Sequence, residues 1–435
     1  MIGRRGVLAA AGGTAAALAL PGCAPSTGAT GQGTTTLTFW SWVPGIERNV
    51  ALWNRLHPGV RVELEKVAAS GGAQYAKMHA ALKAGSPPDL AQVEYQMVPG
   101  FLLDQGLVDL ARHGADRYRA RFADWLWQQT VYAGGVYAIP QDSGPTVLFQ
   151  RQDLLDRWDI ETPATWDDFA TAARAVRRRG AHLTSFSPSN PGWFTALAWQ
   201  AGARWFRAGG DTWLVSVDDE PTRRVTRYWD RLIKDRLVTT QPMMQSAWYA
   251  GLQSGDLVSW TGGSWGDALL TGNAPGGAGK WRVRPMPQWH TAGAAAAPSS
   301  GNWGGSTTAV FTGTRNPRAA LDFAVWLNSD PASVRLLIRG GYGYPAPVSG
   351  FTPSELDTRA AYFGGQDYGA VVAASGAAVD RSWTWGPTMD TFFQRLTDAL
   401  SGAVSDGTPL TAVLPGLQAR TLADLRDKGL KAEAA

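Results

Sequence analysis

Hydrophobic residues between positions 37 and 103 follow the period of a strand and the period of a helix in turn. Leu37-Thr38-Phe39-Trp40 alternates apolar and polar side chains, which is typical of a half-buried strand. The next apolar residues recur at helical spacing until His57-Pro58-Gly59 ends the helix. Predicted strands lie at 37–40, 60–64 and 89–93, with predicted helices at 46–56, 75–82 and up to about 103. This order predicts an α/β domain with a parallel sheet.

A second α/β region begins near Pro140. A helix is predicted to start at Thr165, because Asp168 lies three residues later and can complete a capping box. Further strands are predicted at 255–260, 280–286 and 306–311, and further helices at 316–327, 389–400 and after 409. The Ala-, Gly-, Pro- and Ser-rich segment 293–305 predicts a loop that crosses between the two regions.

The first 22 residues have the pattern of a signal peptide. Arg4 and Arg5 precede an uncharged apolar run at 6–20, which is too short for a hydrocarbon core of about 30 Å. The arginine pair and the residues after it resemble a twin-arginine export signal. Export through the general secretory route remains an alternative.

Cys23 follows this segment directly, and it is the single cysteine in 435 residues. Leu20-Pro21-Gly22-Cys23 resembles the lipobox of bacterial lipoproteins, which implies lipidation of Cys23 and its use as the new N-terminus. Residues 24–36 are small and polar, so we predict a flexible tether over residues 23–35. No intrachain disulfide can form.

Composition narrows the possible partners. The net charge is +4, and removing a signal peptide that contains Arg4, Arg5 and no acid leaves +2, which is too weak to favour nucleic acid. The 21 tryptophans exceed the need of a core and predict an aromatic-lined cleft.

The order of several short motifs resembles extracellular solute-binding protein family 1, the sugar-binding lipoproteins of ABC importers. The motifs are LTFWSW (37–42), HPGV (57–60), AGSPPDL (84–90), LLDQGLVDL (102–110), GGVYAIPQDSGP (134–145), RQDLL (151–155), PATWDDF (163–169), GDLVSWTGGSW (255–265), GNWGGS (301–306) and the 316–327 helix. Each motif is weak alone, and the resemblance depends on their order and spacing over nearly the whole mature chain.

The resemblance implies an α/β, two-lobed periplasmic-binding-protein-like fold whose discontinuous lobes close over a ligand at hinge crossings. Lobe one would comprise 36–140 plus 304–330, and lobe two 141–303 plus 331–428. The implied protein is a monomer that captures a sugar or oligosaccharide. It would deliver this ligand to ABC permease transmembrane subunits and their ATPase, and a lipid anchor would hold it at the outer face of the cytoplasmic membrane.

Candidate ligand-binding residues follow from the family positions and from sugar chemistry. Flat aromatic rings cover the apolar face of a sugar, and carboxylates accept hydrogen bonds from its hydroxyls. The candidates are Trp42, Glu94, Tyr95, Asp142, Trp193, Trp265, Trp303 and Trp385 or its neighbour Trp383. Other polar ligands, such as a glycerol phosphate ester or a peptide, remain alternatives, although a phosphate would favour clustered Arg or Lys.

Enzyme hypotheses are weaker. Gly262-Gly263-Ser264-Trp265-Gly266 matches the G-x-S-x-G motif of serine hydrolases, but Asp267 and His290 leave too little chain for a triad. A carbohydrate-active hydrolase would need two carboxylates about 5–10 Å apart, and Glu94 with Asp142 stays open as such a pair. The five histidines have no metal-ligand spacing, and no phosphate loop is present, so we expect neither metal nor cofactor.

Overall fold

A computed structural model describes residues 34–68, 72–289, 297–341 and 343–435. Within Thr34–Ala435 these residues belong to one compact unit. The predicted signal peptide, Cys23 and all but the last two residues of the tether lie outside the described residues, as does His290. In the described ranges, no helix has the length and apolar character needed to cross a membrane.

Fifteen strands and fifteen α-helices are defined within the described residues. The strands are β1 (Thr35–Ser41), β2 (Val60–Lys66), β3 (Leu90–Glu94), β4 (Val131–Tyr132), β5 (Gly135–Val136), β6 (Ala138–Pro140), β7 (Asp142–Ser143), β8 (Thr146–Arg151), β9 (Phe206–Gly209), β10 (Thr212–Val215), β11 (Ser259–Gly263), β12 (Trp281–Pro285), β13 (Ser306–Val310), β14 (Tyr344–Pro345) and β15 (Lys431–Ala434). The helices are α1 (Ile46–Leu56), α2 (Ala73–Lys83), α3 (Val98–Leu103), α4 (Asp124–Gln128), α5 (Gln152–Trp158), α6 (Trp166–Arg178), α7 (Pro191–Gln200), α8 (Glu220–Lys234), α9 (Ser246–Ser254), α10 (Gly266–Asn273), α11 (Pro317–Ser329), α12 (Pro331–Gly340), α13 (Gly369–Ala377), α14 (Met389–Asp406) and α15 (Leu414–Asp427).

The first lobe is built on a five-stranded sheet with the order β2-β1-β3-β13-β6. The three N-terminal strands are parallel, as their alternation with helices predicted. β13 and β6 join antiparallel to them, so the sheet is mixed. Because β13 lies more than 160 residues after β6 in the chain, the first lobe is discontinuous.

The second lobe contains the antiparallel sheet β11-β8-β12 and a smaller sheet, β15-β10-β9. Every residue of β8 and β11 is buried, because helices cover the sheet. The capping box predicted for α6 is present, with Thr165 and Asp168 bonding each other's backbone. Trp166, Trp193 and Trp229 form part of a dense aromatic core behind this sheet.

Two predicted boundaries differ from the structure. The strand predicted to begin at Gly255 begins at Ser259, because α9 continues to Ser254 and Gly255 ends it with φ +96°. Residues after 330 were assigned to the second lobe, yet α12 packs on the first lobe. The Asn49 side-chain amide of α1 donates to Ser333 O at 2.9 Å and to Ser333 Oγ at 2.8 Å.

Three passages of the chain meet where the lobes join. β7 in the first passage pairs with β14 in the third, so that Asp142 lies opposite Pro345. The second passage precedes β13, and the Ser306 N–H donates to Asp142 Oδ1 at 2.7 Å. The three passages therefore converge on one carboxylate, that of Asp142.

Gly144 permits the closest approach between the first two passages. Its N–H donates to Asn302 Oδ1 at 2.8 Å, and its carbonyl accepts from the Trp303 N–H at 2.8 Å. A Cβ at this position would lie 1.9 Å from Trp303 O. A side chain here would therefore push the Trp303 loop away.

We expect Gly144→Ala to lower the free energy of unfolding by about 1–3 kcal/mol, because the clash involves backbone and not a mobile side chain. The measurement is the thermal unfolding midpoint. Gly402→Ala in α14 is the matched control, since its Cβ would meet nothing within 4 Å. That control should leave stability equal or slightly higher. Equal midpoints for Gly144→Ala and the wild type would contradict this account of the crossing.

Candidate functional site

A cleft with a volume of about 220 Å³ lies between the two lobes, beside the second chain passage. We call it the central cleft. Its lining combines aromatic rings with amides and one carboxylate: Gly72, Gln74, Tyr75, Glu94, Gln96, Met97, Gly192, Asn302, Trp303, Gly304, Trp385 and Phe393. The described lining residues include no Lys or Arg.

A larger cavity of about 1020 Å³ opens on the first lobe between α1 and α11. Trp53, Tyr118 and Arg315 contribute to its walls. It lies apart from the residues at which the three passages meet. We place the candidate site in the central cleft because residues of both lobes converge there, as hinged capture of a ligand requires.

Glu94 is the acidic group of the central cleft. It is the last residue of β3, the central strand of the sheet, and lies one residue beyond the end of the predicted strand. The Tyr75 hydroxyl of α2 donates to Glu94 Oε2 at 2.8 Å, which fixes the carboxylate. Burial raises the pKa of Glu94 above its usual value, while hydrogen bonds from Tyr75 and Gln96 lessen the increase.

Trp303 is held in the cleft by its own backbone. The Trp265 indole N–H donates to Trp303 O at 2.7 Å, and the Gly144 carbonyl accepts from the Trp303 N–H. The ring of Trp303 lies close to Gly192, where a Cβ would be 2.8 Å from Trp303 Nε1. The indole remains partly exposed, so one part of it is available to a ligand.

Trp385 lines the cleft from the second lobe. Its indole N–H donates to Gln129 Oε1 of the first lobe at 2.8 Å, which directly links the lobes. Phe393 contacts the Trp385 ring edge-on, with centroids 6.4 Å apart. Glu94, Trp303 and Trp385, all predicted from sequence, are therefore brought together in one cleft.

Tyr95 and Asp142 lie next to the cleft but are buried. Tyr95 is fully buried, and its hydroxyl finds no hydrogen-bond partner among the described residues. Asp142 is 4% exposed and accepts from the Ser306 N–H. Burial raises the pKa of Asp142 well above its usual range, the Ser306 hydrogen bond opposes this increase, and the charge of Glu94 adds to it. The structure thus places Asp142 as a brace of the chain passages, with little surface left for a ligand.

The other three candidates do not line the cleft in the structure. Trp193 is 1% exposed, and its indole N–H donates to Thr261 O at 3.0 Å inside the second lobe. Trp265 supports the Trp303 loop. Trp42 packs edge-on against Tyr75, with centroids 5.9 Å apart. The expectation that Trp193 stacks on a ligand is not supported, because the core encloses its ring.

Sequence reasoning missed several lining residues. Tyr75 begins the second predicted helix, and helical spacing carries no sign that its hydroxyl reaches Glu94. Gln96 and Asn302 are close in sequence to predicted candidates, and that proximity was the available signal. Phe393 had no signal beyond its place in a predicted helix, because its contact with the cleft depends on how α14 docks.

Ser264 of the G-x-S-x-G motif and the neighbouring Asp267 are both buried inside the second lobe. Ser264 is 7% exposed, and its hydroxyl has no partner among the described residues. Asp267 instead accepts from the Tyr368 hydroxyl at 2.8 Å and pairs with Arg359 at 3.4 Å. Asp267, the acid of the hypothetical triad, therefore interacts with Tyr368 and Arg359.

The arrangement suits non-covalent binding of a neutral, hydroxyl-rich molecule. Indole and phenol rings can cover apolar C–H faces, while Glu94, Gln96 and Asn302 can bond hydroxyls at the edges. The absence of Lys and Arg from the described lining gives no charge complement for a phosphate.

Comparison with known proteins agrees with this chemistry. The chain is 25% identical over 329 residues to the arabinooligosaccharide-binding protein of Halalkalibacterium halodurans, covering 72% of each chain. It is 26% identical over 312 residues to the lactose-binding protein of Rhizobium radiobacter, covering 66% of this chain and 69% of that protein.

A solved structure shares the fold over almost its full length. The galacto-N-biose-/lacto-N-biose I-binding protein of an ABC transporter from Bifidobacterium longum, in complex with lacto-N-biose, superimposes with a TM-score of 0.84. The identity is 25%, with 92% of this chain and 99% of that chain covered. Residues 39–334 also match the family model described as bacterial extracellular solute-binding protein. The two-lobed fold, the cleft at the crossings and this match together establish that the chain belongs to the family of bacterial extracellular solute-binding proteins.

Proposed function

We propose that this protein is the substrate-binding component of an ABC importer and captures a sugar or oligosaccharide in the central cleft. The observation that carries the proposal is the lining of that cleft: Tyr75, Trp303 and Trp385 line it together with the carboxylate of Glu94, and its described lining includes no Lys or Arg. Aromatic rings with acceptor groups are what a neutral sugar requires. The relatives and the solved structure named above bind arabinooligosaccharides, lactose and lacto-N-biose.

Hinged closure follows from the proposed function. The first lobe would comprise residues 36–140 and 304–330 with α12 added, and the second lobe the remaining folded chain. The three passages would act as the hinge, and closure would bring Trp385 and Trp303 towards Glu94 and Tyr75. The closed, loaded protein would act as a monomer, and its binding partners would be the permease transmembrane subunits that work with an ATPase.

The proposal includes a lipid anchor at Cys23. The lipobox-like sequence and the short polar segment behind it support attachment at the outer face of the cytoplasmic membrane. A tether of this kind would keep the receptor near its permease and still allow it to rotate. More than one acyl chain would be needed for firm attachment, since one chain binds a membrane only marginally.

Trp303→Ala should weaken sugar binding at least tenfold, because it removes a ring worth about 1.5–3 kcal/mol of apolar contact. The measurement is titration calorimetry with lactose, arabinobiose and lacto-N-biose, using whichever sugar the wild type binds. Trp303→Phe should retain part of the affinity.

Trp326→Ala is the matched control for the loss of an indole. Trp326 is partly exposed and packs on Trp53 of the first lobe, outside the central cleft. Its removal should leave affinity unchanged. A wild type that binds no sugar, yet binds a glycerol phosphate ester or a peptide, would refute the proposed ligand class.

Affinity should fall as the pH is lowered, and the fall should begin at a higher pH than an ordinary glutamate would give. The raised pKa of Glu94 means that this carboxylate gains its proton at a higher pH than an ordinary glutamate, and its ionised form is the stronger acceptor for hydroxyls. Glu94→Gln should bind about fivefold more weakly at neutral pH and show a flatter pH profile. If the affinity of Glu94→Gln depended on pH as the affinity of the wild type does, the titrating group would be another residue, such as Asp142.

Cys23→Ala should release the protein from the membrane in soluble form, because no acyl chain can be attached. The measurement is fractionation of cells that express each form, followed by titration of the released protein with sugar. Sugar affinity should be unchanged, since the described cleft does not include this residue. Membrane retention of Cys23→Ala would refute the anchor and leave the receptor function untouched.

A further inference from the structure

A second cavity adjoins the central cleft. It has a volume of about 620 Å³, and its walls include Trp125, Tyr132, Asp211, Trp213, Trp383 and Trp385. We call it the outer aromatic cavity. The two spaces share one wall residue, Trp385, whose side chain is 3% exposed.

The volumes of the two spaces bear on the length of the ligand. The central cleft, at about 220 Å³, is smaller than the roughly 300–1,000 Å³ of ordinary ligand pockets. The outer aromatic cavity falls within that range. A ligand of several sugar units would therefore need the second space.

Both lobes contribute a partly exposed ring to the outer aromatic cavity. Tyr132 on β4 comes from the first lobe, and Trp213 on β10 comes from the second. Each ring is partly exposed, and neither contacts another aromatic ring among the described residues. Each ring also packs against a hydrophobic cluster, so the exposed part of the ring is what can contact a flat apolar partner such as the C–H face of a sugar.

The remaining rings form a rigid wall. Trp383 stacks on Trp199 with centroids 4.7 Å apart, and Trp125 contacts the same Trp199 edge-on. The Trp383 side chain is 5% exposed, and its indole N–H has no hydrogen-bond partner among the described residues. A buried donor without a partner costs free energy, which these ring contacts must offset.

Polar groups at the margin complete the chemistry of a sugar site. Gln128 and Arg381 line the cavity and are exposed, and neither side chain bonds another described residue. Asp211 lies at the hairpin between β9 and β10, where it pairs with Lys431. Amide, guanidinium and carboxylate groups around aromatic rings can bond several hydroxyls at once.

Another neighbouring cavity lacks this chemistry. A space of about 560 Å³ shares Gln96 and Met97 with the central cleft. No Trp, Tyr or Phe is found in its described lining, where Lys83 and Lys428 are accompanied by Asp104 and Asp390. Of these two neighbouring spaces, the one that shares Trp385 with the central cleft is the one with an aromatic lining among the described residues.

We propose that the outer aromatic cavity is an extension subsite that binds the distal units of an oligosaccharide whose first unit occupies the central cleft. The inference rests on the proposed function. It assigns Trp213 and Tyr132 as residues that determine preference for ligand length, while Trp303 and Glu94 serve every ligand.

The test is titration of the wild type, Trp213→Ala and Tyr132→Ala with arabinooligosaccharides and β-galactooligosaccharides, each from the disaccharide to the pentasaccharide. Wild-type affinity should rise with chain length. Each variant should match the wild type for the disaccharide and lose about fivefold to tenfold for the longer ligands. Using one variant from each lobe guards against a folding defect in either.

Trp326→Ala serves again as the control and should reproduce the wild-type series. Wild-type affinity that does not rise beyond the disaccharide would overturn the extension subsite and leave the proposed function standing. Equal losses for short and long ligands would also overturn it, because they would indicate a general disturbance of the cleft. Failure of the wild type to bind any saccharide would instead refute the proposed function.

Discussion

The two lobes depend on a close meeting of three chain passages around the carboxylate of Asp142. One oxygen accepts the Ser306 N–H of the second passage, and the other lies so near the third that a Cβ on Gly343 would be 2.0 Å away. Burial without a cation raises the pKa of Asp142, so its ionised form is costly here. The buried carboxylate therefore requires that the three passages keep their positions relative to one another. Hinge and cleft therefore share one local constraint.

The same constraint positions the ligand-binding surface. Gly144 and Asn302 join the first two passages, and that junction sets the backbone of Trp303. The Trp265 indole N–H then bonds the Trp303 carbonyl, so a second tryptophan supports the first without entering the cleft. The many tryptophans thus have two structural roles. Some indoles form rigid walls through contacts with one another, and others present a face to the space between the lobes.

Much of the fold could be predicted from local signals. The parallel strands of the first lobe, the capping box of α6 and the helix α11 follow from hydrophobic period, hydrogen-bonding side chains and proline placement, all of which act within a few residues. The extent of the first lobe was harder to predict. Packing of α12 on α1 depends on Asn49 and Ser333, which are 284 residues apart.

The sequence by itself determined the α/β class, the order of family motifs, and that aromatic and acidic residues follow the strands at the crossings. Only the tertiary structure decided which of them meet. Trp193 and Trp303 are both candidates from the sequence, yet Trp193 is enclosed by the core and Trp303 is partly exposed in the cleft. Periodicity specifies which side of an element a residue occupies. What lies opposite that side is set by distant segments, and those contacts decide whether an indole packs or binds.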